Sequence, residues 1–256
     1  MVARIDRTGE VNYNKFGSKM KIIRYKNAKE IDVYFEEYNW IKYNIEYKSF
    51  KNGLIKCPYE RRTYNIGYLG EGKYERYKDK KNTKCYDVWH NMLKRCYDVE
   101  DIGYDRYGKR GVIVCEEWHN YQNFAEWYYS NYYECNGELL YLDKDILNKG
   151  NKIYSPNTCI LVPRIINNIF TKSDKARGEY LIGVRQLPSG NFQAYYNSDE
   201  NNKFISLGVY GSQEEAFQHY KIYKEKVIKR VADEYKPYIP KKLYDAMYRY
   251  EVEITD

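Results

Sequence analysis

The sequence predicts an α+β protein: a small β-barrel-like segment first, then a central strand–loop–strand–helix unit with flanking helices, then a three-stranded sheet packed on one helix. Three observations carry this expectation. Residues 10–75 are short β-branched and aromatic runs separated by Asn, Lys and Gly. Residues 85–134 hold two stretches with apolar side chains at helical spacing. Residues 180–235 give three β segments followed by one long amphipathic pattern.

Taken in order, MKIIRY, EIDVYF, YNIEYKSF, GLIKCPY and TYNIGYL read as five short strands, closely spaced enough to curl into a small barrel. They define a segment 1–75 whose role composition does not reveal. EGKYERYKDKKNTK, 71–84, is charged, lacks periodicity and reads as a linker. In CYDVWHNMLKRCYD, Val88, Met92 and Cys96 share a helix face, with Trp89 and Leu93 beside it. DIGYDRYGKRG follows as a loop, GVIVCEEW as a strand, and NYQNFAEWYYSNYYE as a helix with Tyr121, Phe124, Trp127 and Tyr128 on one stripe. YLDKDI is then a strand, a Gly/Asn loop leads to the strand CILVP, and PRIINNIFTK is a helix with Pro in its first turn. YLIGVRQ, NFQAYYN and FISLGVY are strands joined by the PSG and SDENN turns. The helix after them opens on Ser212 with Glu215 in capping-box spacing, and its buried stripe is Ala216, Tyr220, Tyr223, Val227 and Val231. The tail 237–256 holds a short helix, KKLYDAMYRY. The expected divisions are therefore 1–75, 76–175, 176–236 and 237–256.

The 43 Lys and Arg against 36 Asp and Glu leave a net charge of +7, which favours an anionic partner only where it clusters. The 33 tyrosines supply rings that stack on bases and hydroxyls that bond to phosphate, although an A/T-rich coding sequence would give the same bias. No run of 18 apolar residues spans a membrane, and MVARIDRTGEVNY has no apolar core of a signal peptide, so an intracellular, cytoplasmic protein with no membrane partner is expected. The six cysteines form no CxxC pair and read as reduced thiols; a structural zinc site from Cys96, Cys115 and Cys159 with a fourth ligand is the alternative.

In NFQAYYN, alternation turns Phe192, Ala194 and Tyr196 toward the helix and Gln193, Tyr195 and Asn197 outward, where Arg185 and Lys203 would join them. Arg, Gln and Asn make bidentate contacts with guanine and adenine edges, and a sheet can present them in the major groove. Gly183-Val184-Arg185, Gly190, Ala194, Leu207-Gly208 and Glu214-Glu215-Ala216, with Phe192 in place of Trp and Tyr210 in place of Phe, resemble the plant ethylene-response-factor (APETALA-type) DNA-binding domain over about 55 residues. That resemblance implies duplex DNA as partner, read by the sheet. Of the arginines that family places there, Arg185 is kept, while Ile182, Asn197 and Ser206 stand at other contact positions.

Phosphodiester hydrolysis needs an activated water, a base and a cation on the phosphate, and Mg²⁺ takes oxygen ligands from one or two side chains plus phosphate. The order strand YLDKDI, loop, strand CILVP, helix RIINNIF supplies such a frame. With the upstream WHNMLKRCY…RYGKRGVIVCEEWHNYQNF it resembles the His-Asn-His (HNH, ββα-metal) endonucleases of phages and mobile introns, over about 85–172. The resemblance places Asp143 on the metal-binding acid, Lys144 where the family has its catalytic His, Thr158 on the loop-fixing Asn, and Asn167 on the helix ligand. It implies Mg²⁺ or Mn²⁺ as cofactor and, for a phage-encoded chain, the host-cell cytoplasm. Asp145, two residues on, is read on the same strand face as Asp143 and as a further metal ligand. His90 or His119 would be the substitute base; their plainer roles are a solvated side chain and a local hydrogen bond. RYGKRG offers Arg106, Lys109 and Arg110 to phosphate, or is simply a solvated turn. The expected function is a homing-type DNA endonuclease with sequence-selective duplex binding. The alternatives are a catalytically silent DNA-binding regulator or blocker, and a phage protein that engages a host protein.

Overall fold

A computed structural model describes residues 5–170, 179–198 and 203–254. The chain is α+β, as its patterning predicts, and divides into two compact units, residues 1–126 and 127–256. Among the described residues no helix is long and apolar enough to cross a membrane.

The first unit begins with an antiparallel meander of β1 (Val11–Tyr13), β2 (Lys19–Asn27), β3 (Glu30–Phe35) and β4 (Trp40–Ile45), paired in that order with β1 and β4 as open edges. Period-2 alternation in β2 and β3 turns Met20, Ile22, Ile31, Val33 and Phe35 onto one face, where they bury against Phe50, Ile55 and Cys57. The expected barrel is thus an open sheet. YNIEYKSF is strand only to Ile45, after which Tyr47–Lys51 form helix α1. GLIKCPY and TYNIGYL are loops rather than strands: Gly53 sits at φ 64°, and Tyr64 and Asn65 at 53° and 57°, left-handed conformations that no extended ladder accommodates. Residues 71–84, expected as a linker, contain a hairpin of β5 (Tyr77–Lys78) and β6 (Lys81–Asn82).

Helix α2 (Lys84–Tyr97) starts where Thr83 Oγ1 accepts the Tyr86 amide at 3.2 Å, which satisfies one of the orphan donors of the first turn. Its buried face is Cys85, Trp89, Met92 and Cys96 with Tyr86 and Leu93, one step round from the expected stripe, because the aromatic residues 86 and 89 outcompete Val88 for the interior. GVIVCEEW shrinks to β7 (Ile113–Val114), after which residues 116–119 tighten into a 3₁₀ turn that buries Trp118. Helix α3 (Tyr121–Asn131) buries Tyr121, Phe124 and Tyr128, and the division between the units falls within it.

In the second unit, β8 (Leu140–Asp143) pairs antiparallel with β10 (Ile160–Pro163), Asp143 standing opposite Ile160; β9 (Ile153–Tyr154) lies in the intervening loop region. Helix α4 (Arg164–Ile169) begins directly after Pro163 and packs on β8 and β10 through Ile166 and Ile169. The end of the expected PRIINNIFTK helix and the expected 175/176 division lie outside the described residues. The C-terminal sheet has the order β11 (Val184–Gln186), β12 (Phe192–Ser198), β13 (Lys203–Tyr210), all antiparallel. Residues 199–202 of the expected SDENN turn are outside the described residues. Helix α5 (Gln213–Tyr235) covers one face, opened by Ser212 Oγ accepting the Glu215 amide at 3.2 Å. It buries Ala216, Tyr220, Val227 and Val231 as expected, with Phe217, Ile228 and Ala232 added and Tyr223 half-buried. Helix α6 (Lys241–Tyr248) packs on α5; its Tyr244 and Tyr248 hydroxyls both donate to Asp233 and hold that carboxyl below the usual carboxylate range.

Candidate nucleic-acid interface and neighbouring carboxylate loop

The pleat of β12 separates two sets of side chains. Ala194 and Tyr196 are buried toward α5, and the Tyr196 ring meets Tyr223 at 5.4 Å between centroids. Gln193, Tyr195 and Asn197 take the opposite face. There the Arg185 Nε–H donates to Gln193 Oε1 at 2.8 Å, and the Gln193 amide donates to Ser206 Oγ at 2.8 Å. This is a row of polar side chains across all three strands, held in a fixed order. The Arg185 guanidinium also lies 4.8 Å from the Phe204 ring centroid and 5.7 Å from that of Tyr195, and those two rings stack at 5.6 Å with 20° between planes. A flat cation on flat rings holds its remaining N–H donors in a defined plane.

Sequence alternation placed Arg185, Gln193, Tyr195 and Asn197 on this face. It missed Phe204, although Phe204 and Ser206 share parity in FISLGVY. Lys203 is corrected: it pairs with Ser198, one position out of phase with the Asn197–Phe204 pair, so the pleat puts it off the outer row. The alternation survives a bulge after Ala194, which skips Leu207, and the Tyr195 amide there donates to Gly183 O at 2.8 Å.

The second candidate site lies at the end of β8. Asp143 Oδ1 accepts the amides of Asp145 at 2.8 Å and Ile146 at 2.7 Å, an Asx turn that bends the chain out of the strand. Burial pushes the Asp143 carboxyl above the ordinary carboxylate range, against the opposing pull of these two N–H donors. Because the strand ends at Asp143, Asp145 does not share its face, contrary to expectation. Its two oxygens instead each lie 2.7 Å from the Lys144 ammonium. Lys144 is 6% exposed and also donates to the Asn151 carbonyl at 2.7 Å. Asn151 in turn donates to the carbonyls of Lys144 and Ile153 at 2.9 and 2.8 Å. The role of a general base at 144 therefore gives way to a different one, because an ammonium committed as donor to a carboxylate and a carbonyl offers no lone pair. Lys144 is a strut across its own loop. Asn151 was not foreseen, and only its place in the Asn-rich NKGNK run hints at it. Thr158 fastens the far end of the loop, donating to Ile153 O at 2.7 Å with its hydroxyl 2.8 Å from Ser155 Oγ.

Lys144→Met is accordingly expected to lower stability by about 1–3 kcal/mol, since it orphans the Asn151 carbonyl and unpairs Asp145, which water partly compensates. Urea unfolding checks this. A variant as stable as the parent would remove the strut.

The remaining residues expected at a site fall elsewhere. Asn167 is half-buried on α4, the helix that packs against β8. His90 and His119 belong to the first unit. His90 Nε2 is 3.2 Å from the Tyr64 hydroxyl, and His119 Nε2–H donates to Val114 O at 3.1 Å. Burial lowers both imidazoles' pKa, aided at His90 by Lys94, so both stay neutral near pH 7. Arg106, Lys109 and Arg110 ride on two exposed 3₁₀ turns, where Lys109 pairs with Asp105 at 3.0 Å. Among the described residues no group of three or more His, Cys, Asp or Glu side chains converges to hold a metal, which leaves the zinc alternative at Cys96, Cys115 and Cys159 without a cluster.

No family model matches the chain, and no curated protein and no solved structure matches it.

Proposed function

We propose that this chain is a sequence-selective duplex-DNA-binding protein that reads base edges with the outer face of β11–β13. One observation carries the reading: Arg185, Gln193 and Ser206 form a cross-strand hydrogen-bonded row, with Arg185 fixed on the Tyr195–Phe204 stack. Arg presents a planar donor fork that fits guanine O6 and N7, and Gln matches adenine N6 and N7. Pre-organising both on a rigid sheet lowers the ordering entropy lost on binding. The net charge of +7 supplies attraction to phosphate without sequence preference.

Arg185→Ala is expected to weaken binding to a selected duplex site by about 1–3 kcal/mol and to relax preference at one or two base positions. Binding to random duplex should change much less. Site selection from a randomised duplex pool, followed by titration of both proteins, checks it. An unchanged consensus in the variant would remove the sheet as reader.

A second reading, metal-dependent phosphodiester cleavage, is favoured by the half-buried Asp143 carboxylate at the head of the β8–β10–α4 unit. One carboxylate, with the Asn167 amide oxygen as the companion that the resemblance implies, would suit a hard cation that takes most of its ligands from phosphate and water, such as Mg²⁺ or Mn²⁺, and not zinc. When bound, such a cation would stabilise charge on the scissile phosphate. Asp143 would hold it through Oδ2, since Oδ1 already accepts two amides. No base is assigned. Nicking of supercoiled plasmid with Mg²⁺ or Mn²⁺ by the parent, and not by Asp143→Asn, is the result expected under this reading. Binding without nicking at any divalent ion leaves the silent regulator.

A further inference from the structure

We propose that the β5–β6 hairpin, residues 75–82, is a second DNA contact, whose lysines lie along duplex phosphates. This rests on the DNA-binding reading above and adds a surface in the first unit that the reading does not use.

The hairpin is exposed throughout and carries Arg76, Lys78, Lys80 and Lys81 within six residues of chain. Some surface cations of this unit are matched, among them Lys73 with Glu126 at 3.2 Å, Lys94 with Asp101 at 3.1 Å and Lys26 with Glu30 at 2.7 Å. Lys78, Lys80 and Lys81 have no ion-pair partner among the described residues. Three like charges so close repel one another, and Asp79 and Glu75 in the same segment leave the hairpin net positive.

The turn adds a second observation. Asp79 and Lys80 both adopt positive φ, 50° and 62°, the type I′ geometry that connects two-residue hairpins. Asn-Gly suits that geometry; a lysine there is strained. A turn with only a connecting role gains nothing from Lys80, whereas one that must carry an ammonium at its tip does.

The base of the hairpin is fixed. Thr83 N donates to Arg76 O at 2.9 Å, and the Tyr121 hydroxyl donates to Glu75 O at 3.1 Å. Asn82 Nδ2 donates to Asp87 Oδ1 at 3.1 Å, and the Tyr77 hydroxyl closes back on Lys80 O at 2.7 Å. A two-stranded ribbon alone is marginal in water, so these anchors are what keep the cations in a set array. A narrow, anchored, basic ribbon has the width that a major groove of roughly 12 Å admits, and its lysines would neutralise phosphates on the groove's walls.

The test compares three proteins by the salt dependence of duplex-DNA binding: the parent, Lys78→Gln/Lys80→Gln/Lys81→Gln, and a charge-matched control, Lys15→Gln/Lys29→Gln/Lys51→Gln. The hairpin variant should lose about 2–3 from the slope of log K against log salt, near 0.9 for each phosphate neutralised, while the control stays close to the parent. A further variant, Lys80→Gly, should unfold at a higher temperature than the parent yet bind DNA more weakly, because it relieves the turn and removes the charge. A hairpin variant whose slope equals the parent's, or a control that loses as much, overturns the hairpin as a contact. If the parent itself binds no duplex at low salt, the DNA-binding reading falls, and this inference with it.

Discussion

Gly183→Ala is expected to destabilise the C-terminal sheet by about 3–5 kcal/mol and to abolish the selective DNA binding proposed for that sheet. Two effects add. Gly183 holds φ at 72°, where an L side chain is strained. An added Cβ would also fall well inside van der Waals contact of the Tyr220 ring, at carbons Cγ, Cδ2 and Cε2. Tyr220 is 5% exposed on the buried face of α5, so the ring cannot swing into solvent; helix and strand would have to part. Gly183 also supplies the carbonyl that takes the Tyr195 amide at the bulge, and Tyr195 is half of the stack under Arg185. The packing fault therefore reaches the reading face through one hydrogen bond. Loss of sheet signal in circular dichroism together with loss of the selected site is the expected pair of results. A stable Gly183→Ala protein with parental binding would mean that the α5–sheet packing is looser than these contacts require.

Gly183 also shows why the C-terminal module was legible in the sequence and the N-terminal part was not. In 180–235 every level of pattern agrees: alternation in NFQAYYN, a cap at Ser212, a stripe from Ala216 to Val231, and a glycine where the backbone turns left-handed. Residues 50–75 have no such agreement. Ile55 and Cys57 are buried like strand residues, yet Tyr64 and Asn65 sit left-handed without glycine, a choice fixed by tertiary packing that no local pattern announces. The hairpin at 77–82 hid for the same reason, since Asp-Lys is a poor signal for a type I′ turn. At the carboxylate loop, the sequence pattern predicted the β8–β10–α4 order, but not what Lys144 does. Whether a lysine after an acid faces a cleft or bridges its own loop depends on where the strand stops, and here it stops at Asp143 itself.

That geometry separates two substitutions at Asp143. Asp143→Asn keeps an Oδ1 able to accept the Asp145 and Ile146 amides, so the turn survives. Asp143→Ala removes both bonds and should cost about 1–3 kcal/mol. The pH dependence gives the sign. The folded carboxyl titrates above its unfolded value of 3.8 because burial disfavours its charge. Between those two values the folded chain binds more protons than the unfolded one, so this group's contribution to stability falls as pH rises through the window. Above the window the parent keeps a partly desolvated charge that Asn lacks. Asp143→Asn should therefore be at least as stable as the parent at pH 7, with a flatter profile across the acid limb, while Asp143→Ala is less stable at every pH. A cation at Oδ2 would reverse the order: with millimolar Mg²⁺ or Mn²⁺ and duplex present, the parent should gain stability that neither variant gains, because the ion binds the charged form and only the folded state presents it. Thermal unfolding of the three proteins across pH, with and without divalent ion and duplex, reads both effects at once. If Asp143→Asn proves as unstable as Asp143→Ala, then the carboxylate's charge, and not its acceptor geometry, holds this loop.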